Sequence, residues 1–122
     1  MTNTRNSLSA GAIVAALLSG CATHGDILGA GVRGKFQSTR SPMALAQCID
    51  RNADSFALGS LRSKIVTTGK EPLEVVILNG GTNWAIVHIR AIGEGSTADF
   101  YLGGVASMTP QGAIDGVTKD CK

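Results

Sequence analysis

Two segments of the chain place apolar residues at helical spacing, and each begins with a hydroxyl residue followed by proline. The first begins at Ser41-Pro42 and carries Leu45, Cys48, Ile49, Ala53 and Phe56 on one face. The second begins at Thr109-Pro110 and carries Ile114, Val117 and Cys121. A hydroxyl N-cap followed by proline is typical of a helix start. The pattern therefore predicts one helix over residues 41–56 and another near the C-terminus.

Four runs between these helices have the apolar, β-branched character of strands. They span residues 64–68, 73–78, 84–92 and 97–102, and the segments between them are rich in Gly, Asn and Pro. Short connections favour antiparallel neighbours, because a parallel crossover needs a dozen or more residues. The sequence thus predicts a single α+β domain over residues 41–122. Its antiparallel meander of four strands (three to five) is flanked by an N-terminal and a C-terminal helix packed on one sheet face.

The turns also predict a register, and with it the residues on the sheet face away from the helices. A two-residue turn at Glu94-Gly95 and a five-residue loop at 79–83 put six residues suited to binding on that face. They are Glu74, Trp84, His88, Arg90, Asp99 and Tyr101, with His88 opposite Tyr101 and Arg90 opposite Asp99. Trp, Tyr and Arg are favoured interface anchors. Truncation of Trp84 or Tyr101 to alanine is therefore expected to weaken binding and to leave the fold intact. The alternative interpretation is a solvated face held by cross-strand pairs.

The N-terminus has the pattern of an export signal. Arg5 precedes an apolar run over residues 8–18, which is too short to span a bilayer and is typical of a secretory signal. The following segment, Leu18-Ser19-Gly20-Cys21, resembles the lipobox of bacterial lipoproteins. The resemblance implies a signal peptide over residues 1–20, lipidation of Cys21, and an outer-membrane location facing the periplasm, since Ala22 follows the cysteine. An ordinary signal peptide with an incidental cysteine is the alternative.

Residues 21–40 are rich in small residues and lack a clear period, which predicts a lipidated N-terminus and a flexible tether. Residues 29–34 match the pattern G-x-G-x-x-G. A dinucleotide site needs a strand before that turn and a helix after it. Neither is predicted there, so we favour a linker and expect no cofactor.

Cysteine usage predicts a disulfide. With Cys21 assigned to lipid, Cys48 and Cys121 form an even pair in an oxidising compartment. The bond would close a loop of 73 residues, and on the chain-entropy model it would contribute about 4 kcal/mol. Two buried free thiols are the alternative.

Composition and charge limit the kinds of functional site that this chain can form. Eleven Lys and Arg face nine Asp and Glu, which leaves +1 once residues 1–20 are removed, so no nucleic-acid surface is expected. With His24 in the tether, His88 is the one candidate base in the predicted domain. Two histidines without free cysteines also make a tetrahedral metal site unexpected. A non-catalytic protein is therefore favoured over a minor hydrolase centred on His88.

Residues 38–122 also resemble a group of small uncharacterised proteobacterial lipoproteins. The shared features are Cys48-Ile49, Gly95-Ser96-Thr97 before Phe100-Tyr101, and a cysteine near the end. The resemblance agrees with the fold and the disulfide and implies no activity. We expect an envelope lipoprotein that serves as an interaction or structural module, contacting the membrane through its anchor and binding an envelope protein or itself. The alternative is an inhibitor of an envelope-targeted enzyme or a phage-exclusion factor.

Overall fold

The computed structural model describes residues 23–104 and 108–122, apart from the side chains of residues 57 and 58. The predicted signal peptide and Cys21 lie outside the described residues. The elements in chain order are α1 (His24–Gly29), β1 (Gly34–Ser38), α2 (Pro42–Ser55), a 3₁₀ helix (Phe56–Gly59), β2 (Leu61–Val66), β3 (Leu73–Asn79), β4 (Thr82–Ile92), β5 (Gly95–Leu102) and α3 (Pro110–Val117). The five strands form one antiparallel sheet in the order β1-β5-β4-β3-β2. The predicted α+β class is confirmed.

Both predicted helix starts are confirmed by their caps. The Ser41 hydroxyl accepts a hydrogen bond from the Ala44 amide at 3.3 Å, and the Thr109 hydroxyl accepts one from the Gly112 amide at 3.0 Å. Each satisfies a backbone N–H that has no partner within its own helix. Helix α3 ends at Val117, so Cys121 lies after the helix and not within it as its spacing predicts.

One hydrophobic cluster joins α2 and α3 to the sheet. Its largest fully buried side chains are Leu45 and Ile49 of α2, Ile114 of α3, and Ile89 and Phe100 of the sheet. Burying each side chain of this size stabilises the fold by about 1.5–3 kcal/mol. We call this side of the sheet the core side.

A disulfide is buried within the core cluster. The sulfur atoms of Cys48 and Cys121 are 2.08 Å apart and their Cα atoms are 5.8 Å apart. The bond joins α2 to the segment that follows α3. The structure thus pairs the two cysteines as the sequence predicts.

Residues 23–38 are folded, so the prediction of a flexible tether is wrong for most of residues 21–40. Thr23 and Asp26 form a reciprocal cap at the start of α1: the Thr23 hydroxyl accepts from the Asp26 amide, and the Asp26 carboxylate accepts from the Thr23 amide, both at 3.1 Å. Strand β1 then pairs with β5 along its whole length. Backbone pairing and caps therefore order a segment whose composition alone indicates a linker.

The glycine-rich segment within this region connects α1 to β1. It is a helix-to-strand connection, the reverse of the strand-to-helix turn that a dinucleotide site requires. Gly34 itself lies on the core side, where an added Cβ would come within 2.3 Å of Ile114 Cδ1. Its lack of a side chain allows β1 to approach α3 closely.

The strand registers differ in part from those predicted. Between β3 and β4, Glu74 lies opposite His88 as predicted. Between β4 and β5, the two-residue turn is Gly93-Glu94, so His88 lies opposite Asp99 and not Tyr101. The predicted register is therefore wrong by two residues. A shift of two leaves each side chain of this hairpin on its predicted face, because side chains alternate with a period of two.

Trp84 is a correction to the predicted partner surface. Ile77 pairs with Ala85, but Leu78 pairs with Asn83, which leaves Trp84 as the extra residue of a β-bulge. Trp84 is only 4% exposed and belongs to the core cluster, where its ring lies edge-on to Phe56 at 5.7 Å between centroids. The prediction that Trp84 lies on the face away from the helices is wrong, because the bulge interrupts the alternation.

Candidate interaction surface

The sheet face opposite the core side, which we call the open face, carries mostly charged and polar side chains. It includes five of the six predicted surface residues, Trp84 being the exception. The strand register places these residues on it: Lys35, Gln37, Arg62, Lys64, Val66, Glu74, Val76, Leu78, Ile86, His88, Arg90, Ile92, Thr97, Asp99 and Tyr101. The open face therefore combines a charged region with a smaller apolar one.

Helix α1 covers the apolar part of the open face. It contacts β4 and β5, and its Ile27 is 2% exposed without belonging to the core cluster. An added Cβ on Gly103, just after β5, would lie 2.7 Å from Ile27 Cδ1, so the helix rests close to the backbone there. Val76 and Ile86 of the open face are buried as well. Helix α1, which the sequence does not predict, thus packs on the open face.

Glu74 connects α1 to the sheet. Its carboxylate is 3.1 Å from His24 Nε2, which comes from α1, and 2.8 Å from His88 Nε2, which comes from β4. Partial burial raises the pKa of Glu74, but the hydrogen bonds from His88 and His24 outweigh it and hold that pKa below its usual value. The carboxylate therefore stays charged and is shared by two imidazoles.

Asp99 is the second acidic residue of the open face and it also has two partners. Lys35 Nζ donates to one carboxylate oxygen at 2.7 Å, and Arg90 Nη2 donates to the other at 2.5 Å. The Asp99 side chain is 4% exposed, whereas those of Lys35 and Arg90 are 65% and 46% exposed. The acid thus lies beneath the cations that neutralise it. The predicted contact between Arg90 and Asp99 is present, although the two residues are not directly opposite each other. Arg90 is opposite Thr97, and Asp99 is opposite His88.

Tyr101 is half-buried on the open face beside His88. Their ring centroids are 5.1 Å apart and the rings lie edge to face at 63°. This contact is also diagonal, because Ile86 occupies the position directly opposite Tyr101. Predicted neighbours therefore still touch despite the altered register.

The sequence-based interpretation missed several residues of this surface. Composition predicts that His24, Ile27 and Lys35 belong to the flexible tether. The signals that indicate otherwise are the Thr-x-x-Asp cap before Ile27 and the polar–apolar alternation over residues 34–38. Arg62 lies outside the predicted first strand, residues 64–68, because β2 begins at Leu61. Lys64 lies within that predicted strand, but the sequence does not determine its register and therefore does not assign its face.

The described residues hold no metal-binding cluster and no membrane-spanning helix. No group of three or more His, Cys, Asp or Glu side chains within residues 23–104 and 108–122 is arranged to hold a metal ion. In those same residues, no helix has the length and apolar character needed to cross a membrane.

Comparison of the chain with protein-family models, with curated proteins and with solved structures finds no match.

Proposed function

We propose that this chain is a small lipid-anchored protein of the bacterial cell envelope. In this proposal residues 1–20 are a signal peptide, Cys21 carries the lipid, and the domain faces the periplasm from the outer membrane. The Cys48–Cys121 disulfide is the observation that carries the proposal beyond the sequence motif. Disulfides persist in oxidising compartments outside the cytosol, where the predicted signal would deliver the chain.

We also propose that the domain is a non-catalytic interaction module. The residue that sequence favoured as a base, His88, is bonded to Glu74 and thereby helps to hold α1. The second acid of the open face, Asp99, is likewise engaged by two cations. These contacts account for the charged groups as parts of a folded surface. The placement of α2 and α3 over the core side, supported by their shared cluster, leaves the open face as the surface available for binding.

Intact mass and fractionation test the anchor. The full chain is expressed in a bacterial host, and the membrane-derived protein is expected to begin at Cys21 and to carry the mass of its acyl groups. Cys21→Ala is expected to lose lipid labelling and to be released from membranes. Ala22→Ser is the matched control, because it changes the neighbouring residue and leaves the thiol in place. A mature protein that begins elsewhere, with an unmodified Cys21, would contradict the proposal.

A further inference from the structure

The start of α1 lies close to the proposed anchor. Thr23 caps α1 and follows Cys21 by two residues. Two residues span at most about 7 Å even when fully extended. A lipid on Cys21 would therefore leave the domain almost no tether, in contrast to the flexible segment expected from composition. The orientation of α1 then determines which side of the domain faces the bilayer.

Contacts of α1 place its first residue over β3, on the open face. His24 bonds to Glu74, and Glu74 lies in a row across four strands with His88, Asp99 and Lys35. Neighbouring strands are about 4.8 Å apart, so this row extends only about 15 Å from Glu74 to Lys35. The proposed anchor therefore lies over the open face near Glu74, on β3, and within reach of this row of charged side chains.

The exposed charge on the open face is mostly positive. Its strands carry four cations, Lys35, Arg62, Lys64 and Arg90, against two acids, Glu74 and Asp99. The acidic side chains are 20% and 4% exposed, whereas Lys35 and Arg90 are 65% and 46% exposed. Helices α2 and α3 have the opposite balance, with three acids, Asp50, Asp54 and Asp115, against one cation, Arg51. With their flanking residues Arg40, Lys119, Asp120 and Lys122 the two helices carry four cations and four acids, whereas the open face keeps one excess cation when Asp26 of α1 is included. A negatively charged surface would thus be attracted more to the open face than to the helices.

We propose that the open face lies against the anionic lipid headgroups of the leaflet that holds Cys21. Lys35, Lys64 and Arg90 would contact the headgroup phosphates, α1 would lie between sheet and bilayer, and α2 and α3 would point away from the membrane. Electrostatic attraction acts over about 8–10 Å at physiological ionic strength, and the anchor holds the face within such a distance. This inference rests on the proposed lipidation of Cys21 and adds the partner of the open face.

Lysine reactivity provides the first test. The lipidated protein is purified from membranes and reconstituted either in vesicles with equal parts of phosphatidylcholine and phosphatidylglycerol or in neutral detergent micelles. Acetylation of each lysine is followed by mass spectrometry. On the anionic vesicles Lys35 and Lys64 are expected to react about fivefold more slowly than in micelles. Lys119 and Lys122, which follow α3, are internal controls and are expected to keep their reactivity.

Charge reversal provides the second test. Trp84 is the only tryptophan, so energy transfer from its indole to a dansyl-labelled lipid reports how close the domain lies to the bilayer. The double variant K35E/K64E is expected to reduce transfer on phosphatidylglycerol vesicles to the level seen with phosphatidylcholine alone. The matched control K119E/K122E changes the net charge equally and is expected to behave as the unaltered protein does.

The outcomes separate this inference from the proposed function. An acylated protein in which Lys35 and Lys64 react as fast as Lys119 and Lys122 on anionic vesicles would overturn the contact and leave the anchor intact. Equally slow reaction of Lys64 in micelles and on vesicles would also overturn it, because a second copy of the chain would then cover the face; Lys64 decides this outcome, since the ion pair with Asp99 by itself slows Lys35. An intact mass without acyl groups on Cys21 would overturn both proposals.

Discussion

Replacement of Trp84 by alanine is expected to lower the free energy of unfolding by about 3–5 kcal/mol. Trp84 is 4% exposed, and its ring packs edge-on against Phe56. Phe56 in turn lies against α3, where an added Cβ on Gly116 would come within 2.2 Å of the Phe56 ring. Truncation therefore opens a cavity where strand β4, the end of α2 and α3 meet. The Cys48–Cys121 bond limits how far the helices can move to fill it.

Urea unfolding followed by far-ultraviolet circular dichroism measures this loss. Tryptophan fluorescence is unsuitable, because the variant lacks the only tryptophan. The dependence of the unfolding free energy on urea is expected to stay the same, while the midpoint falls. Tyr101→Ala is the control from the open face: its ring is half-buried, and its loss is expected to cost about 1 kcal/mol, mostly the contact with His88.

A double-mutant cycle isolates the aromatic contact. Trp84→Ala and Phe56→Leu, alone and together, are expected to show a coupling of about 0.5–1.5 kcal/mol. A loss below about 1 kcal/mol for Trp84→Ala, together with a larger loss for Tyr101→Ala, would refute the reasoning. The Trp84 ring would then lie on the open face, and the bulge that turns it into the core would be wrong.

Three further predictions concern the disulfide, Glu74 and Gly116. Replacing Cys48 and Cys121 together by serine is expected to lower the unfolding free energy by about 4 kcal/mol, because the bond closes a loop of 73 residues in the unfolded chain; urea unfolding measures it. Since the pKa of Glu74 is lowered in the fold, its carboxylate stabilises the protein above the ordinary value of 4.5, and this contribution is lost as pH falls through the lower folded pKa. The difference in Tm between the unaltered protein and Glu74→Gln should therefore shrink as the pH falls below 4.5. Gly116→Ala is expected to destabilise by about 1–3 kcal/mol despite the better helix propensity of alanine, because its Cβ would meet the Phe56 ring; Phe56→Leu should relieve that loss.

Each of these three predictions has a result that would contradict it. Unchanged stability of the serine variant would mean that the two cysteines are not bonded in the folded protein. A Tm difference for Glu74→Gln that grows as the pH falls below 4.5 would reverse the assigned pKa shift. A gain in stability for Gly116→Ala would show that Phe56 does not pack against this glycine.

Local features of the sequence determined much of the core side. The Ser41-Pro42 and Thr109-Pro110 starts were predicted correctly because a cap depends only on residues within one helical turn. The antiparallel order followed from short, glycine-rich connections. The pairing of the two remaining cysteines followed from their number once Cys21 was assigned to lipid.

The register of the hairpin formed by β4 and β5 could not be predicted from local sequence alone. Glu94 has a glycine on each side, and either neighbour can supply the flexible position of a two-residue turn. Gly93 is the one with a positive φ, of 57°. Both alternatives bury the same apolar residues, since they differ by two positions and the period is two. Pairing between His88 and Asp99 was therefore decided by the whole sheet.

Tertiary structure also decided the two features that matter most for the open face. Trp84 leaves the alternating pattern through a bulge, because its ring packs beside Phe56, a residue distant in sequence. Helix α1 has only six residues, too few to be stable alone in water. The helix is stabilised because Ile27 and His24 contact a sheet that is formed mostly by later residues. Composition could indicate only a linker there, because the stabilising partners are some fifty or more residues away in sequence.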